Sequence, residues 1–115
     1  MTIKRSKVGP RMSQVVVHGD TVYLAGQVAD DPNADVAGQT KQILAKIDGA
    51  LAEAGSDKSK LLSATIWLAD IRTFEEMNKV WDAWVVPGHT PARACIEALL
   101  QGPDKKIEIQ VTAAK

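Results

Sequence analysis

The sequence predicts an α+β fold, a mixed sheet of six strands with two helices layered on one of its faces. Two observations carry this prediction. Runs with period-2 alternation or dense β-branched content recur along the whole chain, whereas apolar residues at helical spacing occupy only two stretches. The order over the 115 residues is strand, hairpin, helix, strand, helix, hairpin, with no repeat and no composition break, so one domain over 1–115 is expected.

Thr2 to Val8 reads as a weak strand ending at Gly9-Pro10. Gln14-Val15-Val16-Val17-His18 and Thr21 to Gly26 are β-rich, and Gly19-Asp20 between them signals a hairpin turn. From Asp35 to Ala54 the apolar positions Val36, Ile43, Leu44, Ile47, Ala50 and Leu51 recur at helical spacing, and Gly55 supplies the stop. Lys60 to Leu68 alternates, with Leu62, Ala64, Ile66 and Leu68 on one face and Leu61, Ser63, Thr65 and Trp67 on the other. Thr73-Phe74-Glu75-Glu76 matches a capping box, opening a helix with the stripe Phe74, Met77, Val80, Trp81 and Trp84, which Pro87-Gly88 ends. Thr90 to Leu99 and Lys106 to Thr112 are the last two strands, expected to pair as a hairpin about Gly102-Pro103-Asp104. Helices on one face leave apolar residues such as Val15–Val17 and the Leu61/Trp67 face uncovered, so that face is expected to meet other subunits.

Composition narrows the function classes. Fourteen Lys and Arg balance fourteen Asp and Glu without a long run of either sign, which disfavours a nonspecific nucleic-acid binder; only Lys4, Arg5, Lys7 and Arg11 form a local basic patch. No apolar run approaches bilayer length and the N-terminus has no apolar targeting core, so a cytoplasmic protein without membrane contact is expected. With one cysteine, Cys95, and two histidines, His18 and His89, the ligands for a structural zinc site are missing, and no metal is expected.

The residue that breaks its strand's pattern is Arg93, in Pro91-Ala92-Arg93-Ala94-Cys95-Ile96-Glu97. Alternation puts Arg93, Cys95 and Glu97 on one face, and in Lys106 to Thr112 it puts Glu108, Gln110 and Thr112 opposite Ile107, Ile109 and Val111. In the hairpin register that keeps apolar on apolar, Arg93, Glu97 and Glu108 share a face, with Glu108 opposite Glu97 and Arg93 roughly 13 Å away at about 3.4 Å per residue. That spacing leaves room for a small molecule gripped by the guanidinium at one end and approached by a carboxylate at the other.

The ordered set Gly9-Pro10, Ala25-Gly26-Gln27, Gln39-Thr40, Ala54-Gly55, Asn78, Pro91-Ala92-Arg93 and Ile107-Glu108-Ile109 resembles the RidA (YjgF) family of reactive intermediate deaminases. The block from Ala64-Thr65-Ile66-Trp67 through Trp81-Asp82-Ala83-Trp84 is similar to its YoaB-type branch. The resemblance covers nearly the whole chain. It implies a chorismate-mutase-like fold, a homotrimer with ligand clefts between subunits, and cofactor-independent hydrolysis of 2-imino or enamine acids to 2-oxo acids and ammonia. It also implies roles: Arg93 binds the substrate carboxylate, the Cys95 backbone carbonyl contacts the imine nitrogen or water, Glu108 positions the attacking water, and Asn78 and Ala25 line the cleft. The chain departs from the family pattern where Arg11-Met12 replaces the aromatic usual after Gly-Pro, where Ala25 replaces a serine, and where Ala94 follows the arginine. These changes reshape the cleft wall and shift the expected substrate.

Plainer roles stand beside these. Arg93 can serve as an interface ion-pair residue, Glu108 as a solvated or Glu97-paired carboxylate, Cys95 as a small core side chain, and Trp67, Trp81 and Trp84 as helix-on-sheet core. His89 and His18 read as loop and turn residues. The functional alternatives to an imine hydrolase are a non-catalytic module that binds small carboxylates or 2-oxo acids and, ranked lowest on charge, an RNA-acting protein.

Overall fold

The computed structural model describes residues 2–115. Seven strands form one mixed sheet: β1 (Ile3–Val8), β2 (Ser13–His18), β3 (Thr21–Leu24), β4 (Gln27–Val28), β5 (Leu61–Leu68), β6 (Ala92–Glu97) and β7 (Ile107–Ala114). Helices α1 (Val36–Glu53) and α2 (Phe74–Trp84) pack on each other and supply the buried side chains that meet one sheet face. The spatial order is β1-β2-β3-β7-β5-β6, with β4 also paired to β7. Only β5 and β6 run parallel, joined through α2 in a strand-helix-strand unit. The seventh strand is the two-residue β4, too short to show as a periodic run.

The hairpin expected of the last two strands does not form. β5 lies between them, pairing with β6 by Ala64↔Arg93 and Ile66↔Cys95 and with β7 by Ala64↔Val111 and Trp67↔Glu108. The reason is burial. Ile107, Ile109, Val111 and Ala113 are all at most 1% exposed, and a strand so apolar gains most with partners on both sides, at about 1.5–3 kcal/mol per large side chain buried. β6, with its alanines, Arg93 and Glu97, suits an edge, where charge discourages further pairing. The connecting segment therefore passes over β5, fixed where the Ala98 N–H donates to the Leu68 carbonyl at 3.0 Å and the Ala69 N–H to the Lys106 carbonyl at 3.0 Å.

Helix α1 follows its sequence signals closely. Asp35 caps it by accepting the Gly38 N–H at 2.8 Å, Ile43, Leu44, Ile47 and Leu51 are buried, and Gly55 leaves it in the left-handed conformation at φ 81. The two-residue turn after β2 carries Gly19 at φ 61, as the hairpin signal requires.

Two local readings are overturned. A bulge between Leu61 and Ser63 turns Leu61 inward with Ala64, Ile66 and Leu68, leaving Leu62 50% exposed, because one extra residue reverses the alternation before it. The capping box is absent as well: Thr73 makes no side-chain cap, its hydroxyl donating instead to the Asp70 carbonyl at 2.7 Å, while Glu76 accepts the Ala37 N–H of α1 at 3.3 Å. A short 3-10 turn, Ile71–Thr73, leads straight into α2 and is capped by Asp70, which accepts the Arg72 N–H. That continuous entry removes the extended N-cap geometry a capping box needs.

Candidate functional site

Register decides which face each candidate uses. Directly paired residues point the same way, so Arg93 shares its side with Ala64 and Val111, both buried under the helices. Glu108 shares its side with Trp67 and Ile96, on the face the helices leave open. The expectation that Arg93, Glu97 and Glu108 line one face is therefore corrected: within one chain the guanidinium and the Glu108 carboxylate lie on opposite sides of the sheet. Glu97 stays on the Arg93 side, where its Oε1 accepts the Ile71 N–H at 3.2 Å, so it is no partner for Glu108.

Arg93 projects from the edge strand onto α2. Its guanidinium carbon sits 5.7 Å from the Phe74 ring centre and 5.3 Å from that of Trp81, within cation–π reach of both rings. Among the described residues it forms no ion pair. Asn78 lies four residues after Phe74 and three before Trp81, on the same side of the helix, and its Oδ1 is buried without a hydrogen-bond partner while its Nδ2 reaches Glu75 at 3.5 Å. A stacked cation without a counter-ion and an unanswered acceptor thus occupy one patch of the edge.

Cys95, two residues on from Arg93, is half-buried against the core. Burial pushes its thiol up from the ordinary value, with the Arg93 guanidinium pulling more weakly the other way. The side chain is therefore a neutral hydrophobe packed against the core.

The Glu108 region is built on the open face. Gln101 Nε2 donates to Glu108 Oε1 at 3.0 Å, and Oε2 lies so close to Gly26 that a Cβ there would stand 2.2 Å from it. Ala25 precedes this glycine and is held by its N–H donating to the Gln14 carbonyl at 2.9 Å. Ala25 and Gly26 line a groove of about 350 Å³ with Met12, Val16 and Tyr23. Met12 thus stands at the wall of this groove, in the place where an aromatic was expected to be replaced.

Sequence reasoning did not single out Phe74 and Trp81 as a bed for the arginine, having assigned them to the core stripe, nor Gln101 as the partner of Glu108. The first was accessible from the parallel β5-α2-β6 unit, which brings α2 over β6. The second carries no signal, since Gln101 sits in a connection without periodicity. His18 and His89 are both exposed, at a strand end and in a loop.

Comparison with known proteins now adds to this geometry. The family model described as endoribonuclease L-PSP matches residues 2–115. The chain is 48% identical over 114 residues to the RutC family protein YoaB of Escherichia coli strain K12, covering 99% of both, and 46% identical over 112 residues to a RutC family protein of Haemophilus ducreyi, covering 97% of this chain and 96% of that one. Its fold matches the crystal structure of NMB1025, a member of the YjgF protein family from Neisseria meningitidis, with a TM-score of 0.97, 46% identity and coverage of 100% of this chain and 96% of that one. It also matches yeast Mmf1 with a TM-score of 0.89 at 23% identity, a likeness of fold alone. An α+β chain matched over this whole span, with close relatives of YoaB type, belongs to the RidA/YjgF family and stands among its YoaB-like members.

Proposed function

We propose that the protein hydrolyses 2-imino acids and their enamine tautomers to 2-oxo acids and ammonia, without a cofactor, in clefts formed between copies of the chain in a homotrimer. The observation that carries this reading is the Arg93 guanidinium, set against the Phe74 and Trp81 rings with no carboxylate paired to it among the described residues. A planar cation fixed in this way offers two parallel N–H groups to a substrate carboxylate.

Chemistry follows from the two groups in turn. Arg93 orients the carboxylate, so that the neighbouring C=N carbon faces a fixed direction. Glu108, whose Oε2 makes no hydrogen bond among the described residues while Oε1 is held by Gln101, accepts a proton from water as the water oxygen bonds to that carbon. The imine nitrogen takes up one proton as the C–O bond forms and, from the protonated Glu108, a second before the C–N bond breaks; ammonia leaves as the new hydroxyl loses its remaining proton and the oxygen becomes the 2-oxo group. Water supplies one oxygen and two hydrogens, and no electron changes hands.

Because Arg93 and Glu108 face opposite sides of one sheet, a ligand touching both needs them from different copies. The open face favours such a contact: Tyr23, Leu62 and Ile96 are 46%, 50% and 50% exposed there, with Trp67 half-buried between Ile96 and Glu108. The test couples purified protein to an amino-acid oxidase that releases imines and follows 2-oxo acid formation across a panel of amino acids. Acceleration that is lost in Arg93→Ala supports the reading. Binding of 2-oxo acids with no acceleration replaces it with a carboxylate-binding module, and RNA cleavage by a nuclease-free preparation replaces it with the activity named in the family's description.

A further inference from the structure

A groove of about 530 Å³ lies between the outer flanks of α1 and α2, lined by neither Arg93 nor Glu108. We infer that it is a binding site for a small apolar carboxylate.

Its floor is apolar because of how the two helices meet. Leu44 of α1 is 2% exposed, and Val80 and Trp84 of α2 pack partly against the same core. Ala45 and Ala83 stand where longer side chains would close the gap between the helices, and their size leaves the trough open. Trp84 is fixed at one end of it, since its indole N–H donates to both oxygens of Asp48 at 3.0 and 3.1 Å.

The rim is cationic in a protein with no net charge. Lys41 from α1, Lys79 from α2 and Lys58 from the 3-10 turn Lys58–Lys60 all line the groove, and none of the three is within ion-pair distance of a carboxylate among the described residues. Lys58 instead lies over the Trp84 ring at 5.5 Å. The single acid of the lining, Asp48, accepts the indole N–H but keeps its negative charge. Three ammonium groups against one carboxylate leave the lining net positive around an apolar floor, which complements one negative charge carried on an apolar body.

Size selects a small molecule over a peptide. The lining stretches Lys41–Asp48 and Lys79–Trp84 each rise only about 8–11 Å along their helices, the length of a chain of six to eight carbons or an aryl group, and too short to seat several turns of a partner helix.

The test uses the full chain carrying Arg93→Ala, so that carboxylate binding at the sheet edge is removed, and titrates it with octanoate, octanol and octylammonium. Amide chemical shifts and tryptophan fluorescence report the site. Octanoate should saturate, with shifts centred on Leu44, Asp48, Val80 and Ala83. Octanol should bind at least about fivefold more weakly, and octylammonium should not saturate. Reversal of two charges in Lys41→Glu/Lys79→Glu should weaken octanoate about tenfold or more and admit octylammonium. Ala83→Leu, which fills the trough without altering charge, should abolish octanoate binding while the thermal midpoint holds, so the result does not depend on the folding of the charge variant. Equal binding of octanol and octanoate, shifts centred elsewhere, no saturation, or displacement of octanoate by an acidic Glu/Leu peptide at lower concentration would each overturn the inference.

Discussion

A guanidinium laid on two aromatic rings has lost much of its rotational freedom before any ligand arrives, which is what distinguishes Arg93 from an arginine waving in solvent. Lysine at this position keeps the charge and loses both the stack and the paired N–H groups. Arg93→Lys should therefore raise KM for imine hydrolysis by roughly tenfold with a smaller effect on kcat, and an equal fall in both would contradict a role in gripping the carboxylate. At the other group, Glu108→Gln keeps shape but removes the base, and kcat should fall by about 10²- to 10⁴-fold with the thermal midpoint little changed. Gly26→Ala tests the same carboxylate by geometry: the new Cβ would meet Oε2 at 2.2 Å, so the side chain must swing away and kcat should drop while 2-oxo acid binding persists. For Cys95, a folded thiol raised by burial contributes stability that is full below the ordinary thiol range and lost as pH climbs through the raised value. Alkylation of the folded protein near neutral pH should accordingly be much slower than in denaturant, and equal rates would show the thiol to be open. Arg93 was legible from sequence because a cation interrupts an otherwise small and apolar run, whereas its aromatic bed was not, since residues far apart in the chain meet there only through the parallel crossover.

The periodic elements formed as read, including the weak first strand, whereas the capping box at Thr73 and the inward face assigned to Leu62 did not. Helix α1 has an N-cap, a buried stripe and a left-handed glycine, all satisfied in place; Asp35→Ala removes one hydrogen bond to the Gly38 N–H and should cost about 1 kcal/mol, or about 4 °C in thermal midpoint. A midpoint unchanged within a degree would mean that the Asp35 cap adds nothing to stability. Thr73 to Glu76 carries the letters of a capping box but follows a 3-10 turn, and the preceding backbone geometry outranks the four-residue pattern. The bulge at Leu62 is invisible to alternation, which cannot count an unpaired residue. Gln39-Thr40, one of the family-like motifs, proves to be a clamp: buried Gln39 donates to the carbonyls of Asp31 and Asp104 and accepts the Lys106 N–H, tying three segments together. A motif shared along a family can thus mark a fold constraint as readily as a site.

At the scale of the whole molecule, the fold class was readable from the order of periodicities, but strand order was not, because period-2 patterns say which side a residue faces and nothing about which strand lies next door. The misplaced hairpin had put Arg93 and Glu108 on one surface; with β5 between β6 and β7 they lie on opposite sides of the sheet. This geometry makes a prediction that a self-contained site would not. If each cleft takes its arginine from one copy and its glutamate from another, Arg93→Ala and Glu108→Gln chains are each nearly inactive alone yet complementary when mixed. A cleft is intact when its arginine comes from a Glu108→Gln chain and its glutamate from an Arg93→Ala chain, which in a random equal mixture happens with a probability of about one quarter whatever the size of the closed ring. Unfolding and refolding the two variants together should restore about a quarter of wild-type activity, and mixing them without subunit exchange should restore none until exchange occurs. Introducing a charge into the open face with Ile96→Asp, at a residue half exposed beside Trp67, should shift the assembly toward monomers in sedimentation and remove activity with the secondary structure intact. Activity that stays with the monomer, or refolded mixtures no more active than their parts, would place the whole reaction within one chain and exclude a shared cleft.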